Sequence, residues 1–577
     1  MTTAQVTMTT APETLTKAQK ILQGIQEKFG VALISAENPR PDRLFLKVRR
    51  EEIRPITDYV FNTLKGRMVM SIGTDKTPVD GHYEVSYLYA LDAEGIALNL
   101  KELVPENDPV VPSVAGIVTY ANWNEREVYD LLGVKAEGHP DPRRLVLADD
   151  WPDDVFPLRK SVPYNFKPPV RDVKPPMREL TEREKKSTIV NVGPFFPTLE
   201  EAASFRLFVE GERIIGADYR GFFAHRGIEK LTDNVLDYNQ IPFMAERICG
   251  ICGFVHSACY CMAVEHAAEA EVPPRAQYIR AVMMELERIH SHLLWLGLAA
   301  HYLGFDTVLM QSWRIREPIM WLVEAITGNR KTYGLNLPGG VRRDFTNEHC
   351  DKILEVIAKI EKEAGELVAA AAEDHTLKMR LVDVGRLTPE DARLLCCVGP
   401  TARASGVNID ARKDFPYCAF PDLKFKPAVQ HTNDIWGRLL VRAEETFTSI
   451  DLVRQMLARL PEGEIMAPVG NIPPWREGVG VAEAPRGECV HYVETGHDNR
   501  PYRWRVRAAT YPQLQAVPYM LEGMHVADFP IIVGSIDPCF SCTERLITVD
   551  RGNANKLRIY EKKDLLAMSR RRTQELR

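Results

Sequence analysis

Glu246-Arg-Ile-Cys-Gly-Ile-Cys-Gly-Phe-Val-His256 sets Cys249 and Cys252 at the Cys-x-x-Cys spacing of a metal-ligand pair, and Ser535-Ile-Asp-Pro-Cys-Phe-Ser-Cys-Thr-Glu-Arg545 repeats it with Cys539 and Cys542. Gly250 and Gly253 leave room for close backbone approach. The helix-favouring residues after Cys252 place that thiol near a helix N-terminus, where a thiolate is stabilised. Four thiolates from two loops make a soft site. A structural zinc, held tetrahedrally by four cysteines, is the plain alternative. Zinc ribbons join their pairs through roughly 15–20 residues, whereas these pairs stand near 250 and 540. A metal assembled from both ends of one domain fits that separation better, although spacing alone leaves both readings open.

Between the pairs the chain is helical. Ile279, Val282, Leu286, Ile289, Leu293 and Leu296 fall three and four apart, the apolar stripe of a long helix, and Ile353, Val356, Ile357, Ile360, Ala364 and Leu367 repeat it. The N-terminal part differs. A helical stripe at Leu22, Ile25 and Phe29 closes at Gly30, and Leu44, Leu46 and Val48 alternate as a strand. Val85, Tyr87 and Tyr89 alternate again, and with the turn from Asp92 to Gly95 and Ile96, Leu98 and Leu100 they predict a β-hairpin. Pro163, Pro168, Pro169, Pro175 and Pro176 with no periodicity mark an extended linker. The expected fold class is α+β. Residues 1–160 form a small α+β domain, 161–187 a Pro-rich linker, 188–545 a mainly helical bundle with peripheral strands that holds the metal site, and 546–577 a C-terminal extension.

At 577 residues the chain exceeds what one core organises, so more than one domain is expected. Its net charge of −6 argues against a basic nucleic-acid-binding surface. The longest apolar stretch, 293–305, is broken by His301 and falls short of the ~18 residues of a membrane span. Residues 1–16 show no secretory signal, so a cytoplasmic site is expected. Eleven cysteines in such a compartment are not a disulfide framework. Cys259 and Cys261, and the histidines His225, His256, His290 and His292, read as packing groups rather than ligands.

Resemblance narrows the choice of metal. Both cysteine segments look like the two nickel-binding signatures of [NiFe]-hydrogenase large subunits. Asn124-Glu-Arg-Glu-Val-Tyr-Asp-Leu-Leu-Gly133, Gly138-His-Pro-Asp-Pro-Arg-Arg144 and Pro157-Leu-Arg-Lys160 resemble the 30-kDa subunit of respiratory complex I. His225-Arg-Gly-Ile-Glu-Lys-Leu231, Pro338-Gly-Gly-Val341, Arg403-Ala-Ser-Gly-Val407 and Val526-Ala-Asp528 resemble its 49-kDa partner. The fusion resembles the large subunit of a group 4, membrane-associated hydrogenase of the formate hydrogenlyase type. A quinone-linked, complex I-like subunit without nickel and a zinc-stabilised assembly scaffold are the rival readings. The four cysteines count against the first, as does Asn191-Val-Gly-Pro-Phe-Phe-Pro197, which lacks the histidine-bearing quinone segment.

The resemblance implies nickel on Cys249, Cys252, Cys539 and Cys542, with Cys252 and Cys542 shared with an iron that carries carbon monoxide and cyanide. It implies the reaction 2H⁺ + 2e⁻ ⇌ H₂, with Cys539 exchanging the proton. Arg486, in Ala484-Pro-Arg-Gly-Glu488, matches the arginine over the open metal positions; a surface ion pair is its plain alternative. Glu229 matches the proton-relaying glutamate, for which a buried carboxyl of raised pKa is expected and an ordinary ion pair is the alternative. Asp537 either fixes Arg486 and its loop or caps the turn before Pro538. The implied partners are an iron–sulfur small subunit with a [4Fe–4S] cluster, ferredoxin-like electron carriers, antiporter-like membrane subunits, a formate dehydrogenase, and maturation factors for nickel insertion and C-terminal proteolysis. The implied location is the inner face of the cell membrane, reached through those partners, and the implied mature C-terminus is Arg545.

Overall fold

The structure is a computed structural model that describes residues 16–169, 171, 177–193, 202–223, 225–233 and 235–540. Residues 1–15, Pro175, Pro176, the stretch 194–197, Cys542 and everything from 543 to 577, including Arg545 and the C-terminal extension, lie outside the described residues. The chain divides into two compact units: Met1–Pro142 with Phe156–Pro163 and Arg412–Pro416, and Arg143–Val155 with Tyr164–Ala411 and Tyr417–Arg577.

In the first unit helix α1 (Lys17–Phe29) starts on a reciprocal cap between Thr16 and Gln19 and buries Ile25. Strands β1 (Leu33–Arg40), β2 (Arg43–Val48), β3 (Arg67–Asp75), β4 (His82–Leu91) and β5 (Ile96–Pro105) form one sheet in the order β1-β2-β5-β4-β3. The expected hairpin is β4 and β5, antiparallel from Leu91↔Ile96 to His82↔Pro105. Its turn closes where the Gly95 N–H donates to the Leu91 carbonyl at 2.9 Å. Helix α2 (Ala121–Leu132) packs on β3 and is tied to it by Asn124, whose side-chain oxygen accepts the Ser71 N–H at 3.0 Å. Beside Asn124, Glu125 accepts from the Ser113 hydroxyl and the Val114 N–H, each at 2.6 Å, while burial pushes its pKa up to about 7.

The second unit begins with strands β6 (Thr188–Val192), β7 (Ser204–Glu210) and β8 (Arg213–Arg220), antiparallel in the order β8-β7-β6. Among the described residues of the expected linker there is one short helix, Glu182–Lys185, which Thr181 and Glu184 start by capping each other. The helices follow: α3 (Gly253–Ala268), α4 (Pro274–Tyr302), α5 (Asp306–Thr327), α6 (Asn347–Glu373) and α7 (Ile435–Leu457). The α6 stripe is one-sided, with Ile353, Val356, Ile357, Ile360 and Ala364 buried. By contrast α4 is buried nearly all round. Its apolar stripe contributes about 1.5–3 kcal/mol per buried side chain, and several of its charged residues are paired inside the core, as in the two-pronged Arg280–Glu265 ion pair at 2.7 and 2.9 Å.

Strands β9 (Glu477–Ala484), β10 (Gly487–Thr495) and β11 (Pro501–Arg507) form an antiparallel sheet, followed by α8 (Thr510–Leu521) and α9 (Phe529–Ser535). Helix α3 lies directly on β9 because Gly480 has no side chain: a Cβ there would sit 2.0 Å from the Cys259 carbonyl oxygen. This contact brings the start of α3 and the β9–β10 turn together.

Candidate metal centre

Cys249 ends a short 3₁₀ turn, Glu246–Ile248, in extended backbone, and Cys252 is the residue before the first turn of α3. The Cys249 sulfur accepts the N–H groups of Ile251 and Cys252 at 3.3 and 3.1 Å, the dipolar support that a thiolate needs. From the other end of the unit, Cys539 follows α9. Its sulfur lies 3.3 Å from that of Cys249, which lies 2.9 Å from that of Cys252. None of the three cysteines is in a disulfide, and each is at most 5% exposed.

Backbone anchors fix these loops. The Tyr333 hydroxyl donates to the Cys249 carbonyl at 2.8 Å, and the Cys539 N–H donates to Thr510 Oγ1 at 3.3 Å. Glu287, on α4, was not singled out by sequence. Its carboxyl accepts the Phe254 and Val255 N–H groups at 3.0 and 3.2 Å and the Thr332 hydroxyl at 2.8 Å. It thereby satisfies the free donors of the first turn of α3, directly after Cys252. Burial pushes its pKa up to about 8 against these hydrogen bonds.

Arg486 sits at the β9–β10 turn. Its Nε donates to the Asp537 carbonyl oxygen at 2.6 Å and its Nη2 to Asp537 Oδ1 at 2.8 Å, so Asp537 does fix Arg486. Asp537 holds this position in left-handed backbone, at φ 55°. Burial would depress the Arg486 pKa, but Asp537 and the sulfurs of Cys249, Cys539 and Cys252 outweigh it and hold the pKa well above its ordinary value. The surface ion pair considered for Arg486 is excluded by its 4% exposure. The turn itself is clamped. Gln513 on α8 donates to the carbonyls of Arg486 and Val398 at 2.6 and 3.1 Å, and Gly399, at φ 63°, passes so close that a Cβ would meet the Arg486 oxygen at 2.4 Å.

Glu229 departs from expectation. Its carboxylate takes Arg503 Nη1 at 2.7 Å, Arg505 Nη1 at 3.2 Å and the Val506 N–H at 3.1 Å. Burial alone would raise its pKa, but Arg503 and Arg505 reverse that and hold it below the usual carboxylate range. The expected buried carboxyl of raised pKa is therefore corrected to an ionised group in a double ion pair on β11.

His256, Cys489 and His491 bring their ligand atoms within 4.8 Å of one another, all buried. The Trp504 indole N–H, which can only donate, lies 3.1 Å from His491 Nδ1. The His491 proton is thus on Nε2, 3.0 Å from His256 Nδ1, and the pair forms a one-way hydrogen-bond chain without needing an ion. Cys259 packs on the Cys489 carbonyl oxygen at 3.4 Å, and Cys261 is fully buried, as expected of packing groups.

The donor set at Cys249 fits a soft metal: three buried thiols meet at one point, and the facing Arg486 Nη1 and Asp537 Oδ2 are buried without a hydrogen-bond partner. Comparison with known proteins agrees with that chemistry. Residues 226–303, which carry Cys249 and Cys252, match the family of nickel-dependent hydrogenases. Residues 46–167 match the 30 Kd subunit of respiratory-chain NADH dehydrogenase, and 302–475 with 470–545 match its 49 Kd subunit. The chain is 40% identical to formate hydrogenlyase subunit 5 of Escherichia coli over 96% of its own length and 98% of that protein's. It is likewise 40% identical to the membrane-bound hydrogenase subunit alpha of Pyrococcus furiosus, over 67% of this chain and 93% of that one. Among solved structures it superposes on a chain of the membrane-bound sulfane sulfur reductase, an archaeal respiratory membrane complex, with a TM-score of 0.59 and 29% identity, covering 63% of this chain and 99% of that one.

Proposed function

The chain belongs to the large subunits of group 4, energy-converting [NiFe]-hydrogenases, with a complex I 30-kDa-like domain fused to a 49-kDa-like one, and from that premise we propose how its own residues serve 2H⁺ + 2e⁻ ⇌ H₂. The observation that carries the proposal is the meeting of three buried cysteine sulfurs beside the Arg486–Asp537 pair. Cys249, Cys252 and Cys539, joined by Cys542, would hold nickel and, through Cys252 and Cys542, an iron with carbon monoxide and cyanide ligands, which together supply the redox chemistry and an open position for hydrogen.

Cys539 Sγ gives and takes the proton. Arg486 keeps its charge at every pH of interest and offers its Nη1 hydrogens to whatever occupies the open position, a preorganised donor in a buried site. Asp537 holds that guanidinium in one orientation through two hydrogen bonds. Glu287 fixes the start of α3 and with it Cys252. Glu229, ionised beside Arg503 and Arg505, passes a proton on rather than storing it, since a carboxylate of depressed pKa releases quickly what it accepts.

Electrons leave through other chains: an iron–sulfur small subunit with a [4Fe–4S] cluster and ferredoxin-like carriers, alongside antiporter-like membrane subunits and a formate dehydrogenase. Among the described residues no helix is long and apolar enough to cross a membrane. Attachment to the inner face of the cell membrane is therefore assigned to those partners. After nickel insertion, a maturation protease removes the extension beyond Arg545. The test is infrared spectroscopy of the native complex in the region of metal-bound carbon monoxide and cyanide. Bands that disappear in Cys249→Ala are expected, and a fully matured preparation without them refutes the assignment.

A further inference from the structure

Behind the Asp537 loop, α4, α6 and α7 line a narrow, partly open cavity of about 20 Å³, bounded by His292, Trp295, Leu296, Val368, Leu439 and Arg442 among others. A buried water needs roughly 10–15 Å³ by this measure, so the cavity holds about one. Its polar side chains are Thr446, whose hydroxyl donates to the Arg442 carbonyl at 2.8 Å, and Arg442 and His292, each 2% exposed. Arg442 donates from Nη1 to the Arg438 carbonyl at 3.1 Å and lies with its guanidinium 4.1 Å from the Trp295 ring centroid, which leaves Nε and Nη2 buried without partners. His292 meets Glu445 through Nε2 at 2.8 Å, and its Nδ1 has no partner.

The protonation states follow from the neighbours. Glu445 is ionised: burial would raise its pKa, but Arg403, His292 and Arg288 drive it well down. As an acceptor it requires the His292 proton on Nε2. Burial holds the His292 pKa down, so the ring is neutral and Nδ1 is a bare lone pair. Arg442 stays protonated at neutral pH, its pKa lowered by burial to about 10, and can only donate. The cavity thus offers N–H donors from one wall and an acceptor from another. An anion would suit the arginine and face the lone pair of His292, whereas a neutral molecule that both accepts and donates satisfies both.

We propose that the cavity is a site for one ordered water, accepting from Arg442 and donating to His292 Nδ1, and that this water positions the Arg486–Asp537 pair from behind. The connection is continuous. Trp295, stacked against Arg442, donates from its indole to the Gly534 carbonyl at 2.8 Å, and the same oxygen accepts the Asp537 N–H at 3.0 Å. On the other side His292 leads to Glu445, then to Arg403 at 2.5 Å, then to Glu483 at 2.9 Å, at the end of β9 just before Arg486. The Arg486–Asp537 ion pair closes this ring and the water is its remaining joint. Left unpaired, a buried guanidinium N–H and an imidazole nitrogen are each a costly defect.

Two measurements on the purified holoenzyme test the site. In a crystal under xenon pressure, a water within hydrogen-bond distance of both Arg442 Nη2 and His292 Nδ1, with no xenon beside it, is expected. Xenon or a halide at that point overturns the proposal. The second is a coupling test on thermal stability. Ala364→Val, which narrows the cavity from α6, should lower the midpoint by expelling the water, and in an Arg442→Met background, where the water has lost its donor and only His292 Nδ1 still faces the cavity, the same substitution should lower it clearly less. Stabilisation in both backgrounds means a dry apolar void and overturns the proposal, as does an equal loss in both, which reports a clash. The positioning role rests on the hydrogenase reading and has its own readout. Ala364→Val should shift the iron-ligand infrared bands with nickel content unchanged, and unshifted bands in a variant shown to lack the water refute that role. Wild-type enzyme without such bands instead refutes the hydrogenase reading and leaves the water test intact.

Discussion

Arg486 and Asp537 show how much one side chain's geometry carries. Two directional hydrogen bonds reach Asp537 from one guanidinium while Nη1 stays free. A lysine would supply charge without that fork. Arg486→Lys should therefore lower hydrogen turnover about 100-fold or more, the scale of losing one preorganised donor, with nickel content by mass spectrometry unchanged; retained turnover would place the reacting molecule elsewhere. Local motifs made Arg486, Asp537 and the cysteines legible in the sequence. Glu287 was not legible, because its partners are backbone N–H groups 32 and 33 positions away and no motif surrounds it. The ionisation of Glu229 was hidden for the same reason: Arg503 lies 274 positions on. In the first unit Glu125 gives a pH prediction. Its folded pKa of about 7 lies above the unfolded value of 4.5, so the folded chain binds a proton that the unfolded chain has released between those pH values. Stability should fall by up to about 3 kcal/mol as pH rises through that window. Denaturation midpoints against pH should show this slope in the native sequence and lose it in Glu125→Gln.

Among the elements, the β9–β10 hairpin is the one whose environment decides function. Every residue of β10 is buried although Glu488, His491 and Glu494 are polar. The polar members are matched by distant ones. Glu488 pairs with Arg507, and His491 takes the Trp504 indole. Helices were easier to read. The α6 stripe is plain because its other face meets water, and the α4 stripe survives although its polar residues are also buried. The hairpin tip depends on a close backbone crossing at Gly399. Gly399→Ala adds a Cβ in left-handed backbone and drives it against the Arg486 oxygen. It should cost about 1–3 kcal/mol and move Arg486. A lowered thermal midpoint together with reduced turnover is expected, and an unchanged midpoint would show that the crossing yields.

For the whole molecule, the decisive fact is that Cys249 and Cys539 touch across 290 positions of chain. A metal that joins them acts as a cross-link. On the chain-entropy model, closing so long a loop removes roughly 5–6 kcal/mol of unfolded-state freedom, to which the binding of metal by the folded chain alone adds. Metal-free protein, or Cys249→Ala, should therefore unfold at a distinctly lower denaturant concentration than the loaded enzyme; coincident curves would show that the metal closes no loop. The same separation has a consequence in time. A ribosome adding roughly 5–20 residues per second exposes the first cysteine pair some fifteen seconds to a minute before the last ligand has been made. For that interval the growing chain carries two free thiols at the head of an unfinished bundle. The centre can only be completed once the second cysteine pair has been made, so metal delivery is timed by the synthesis of that pair rather than by the folding of the first helices.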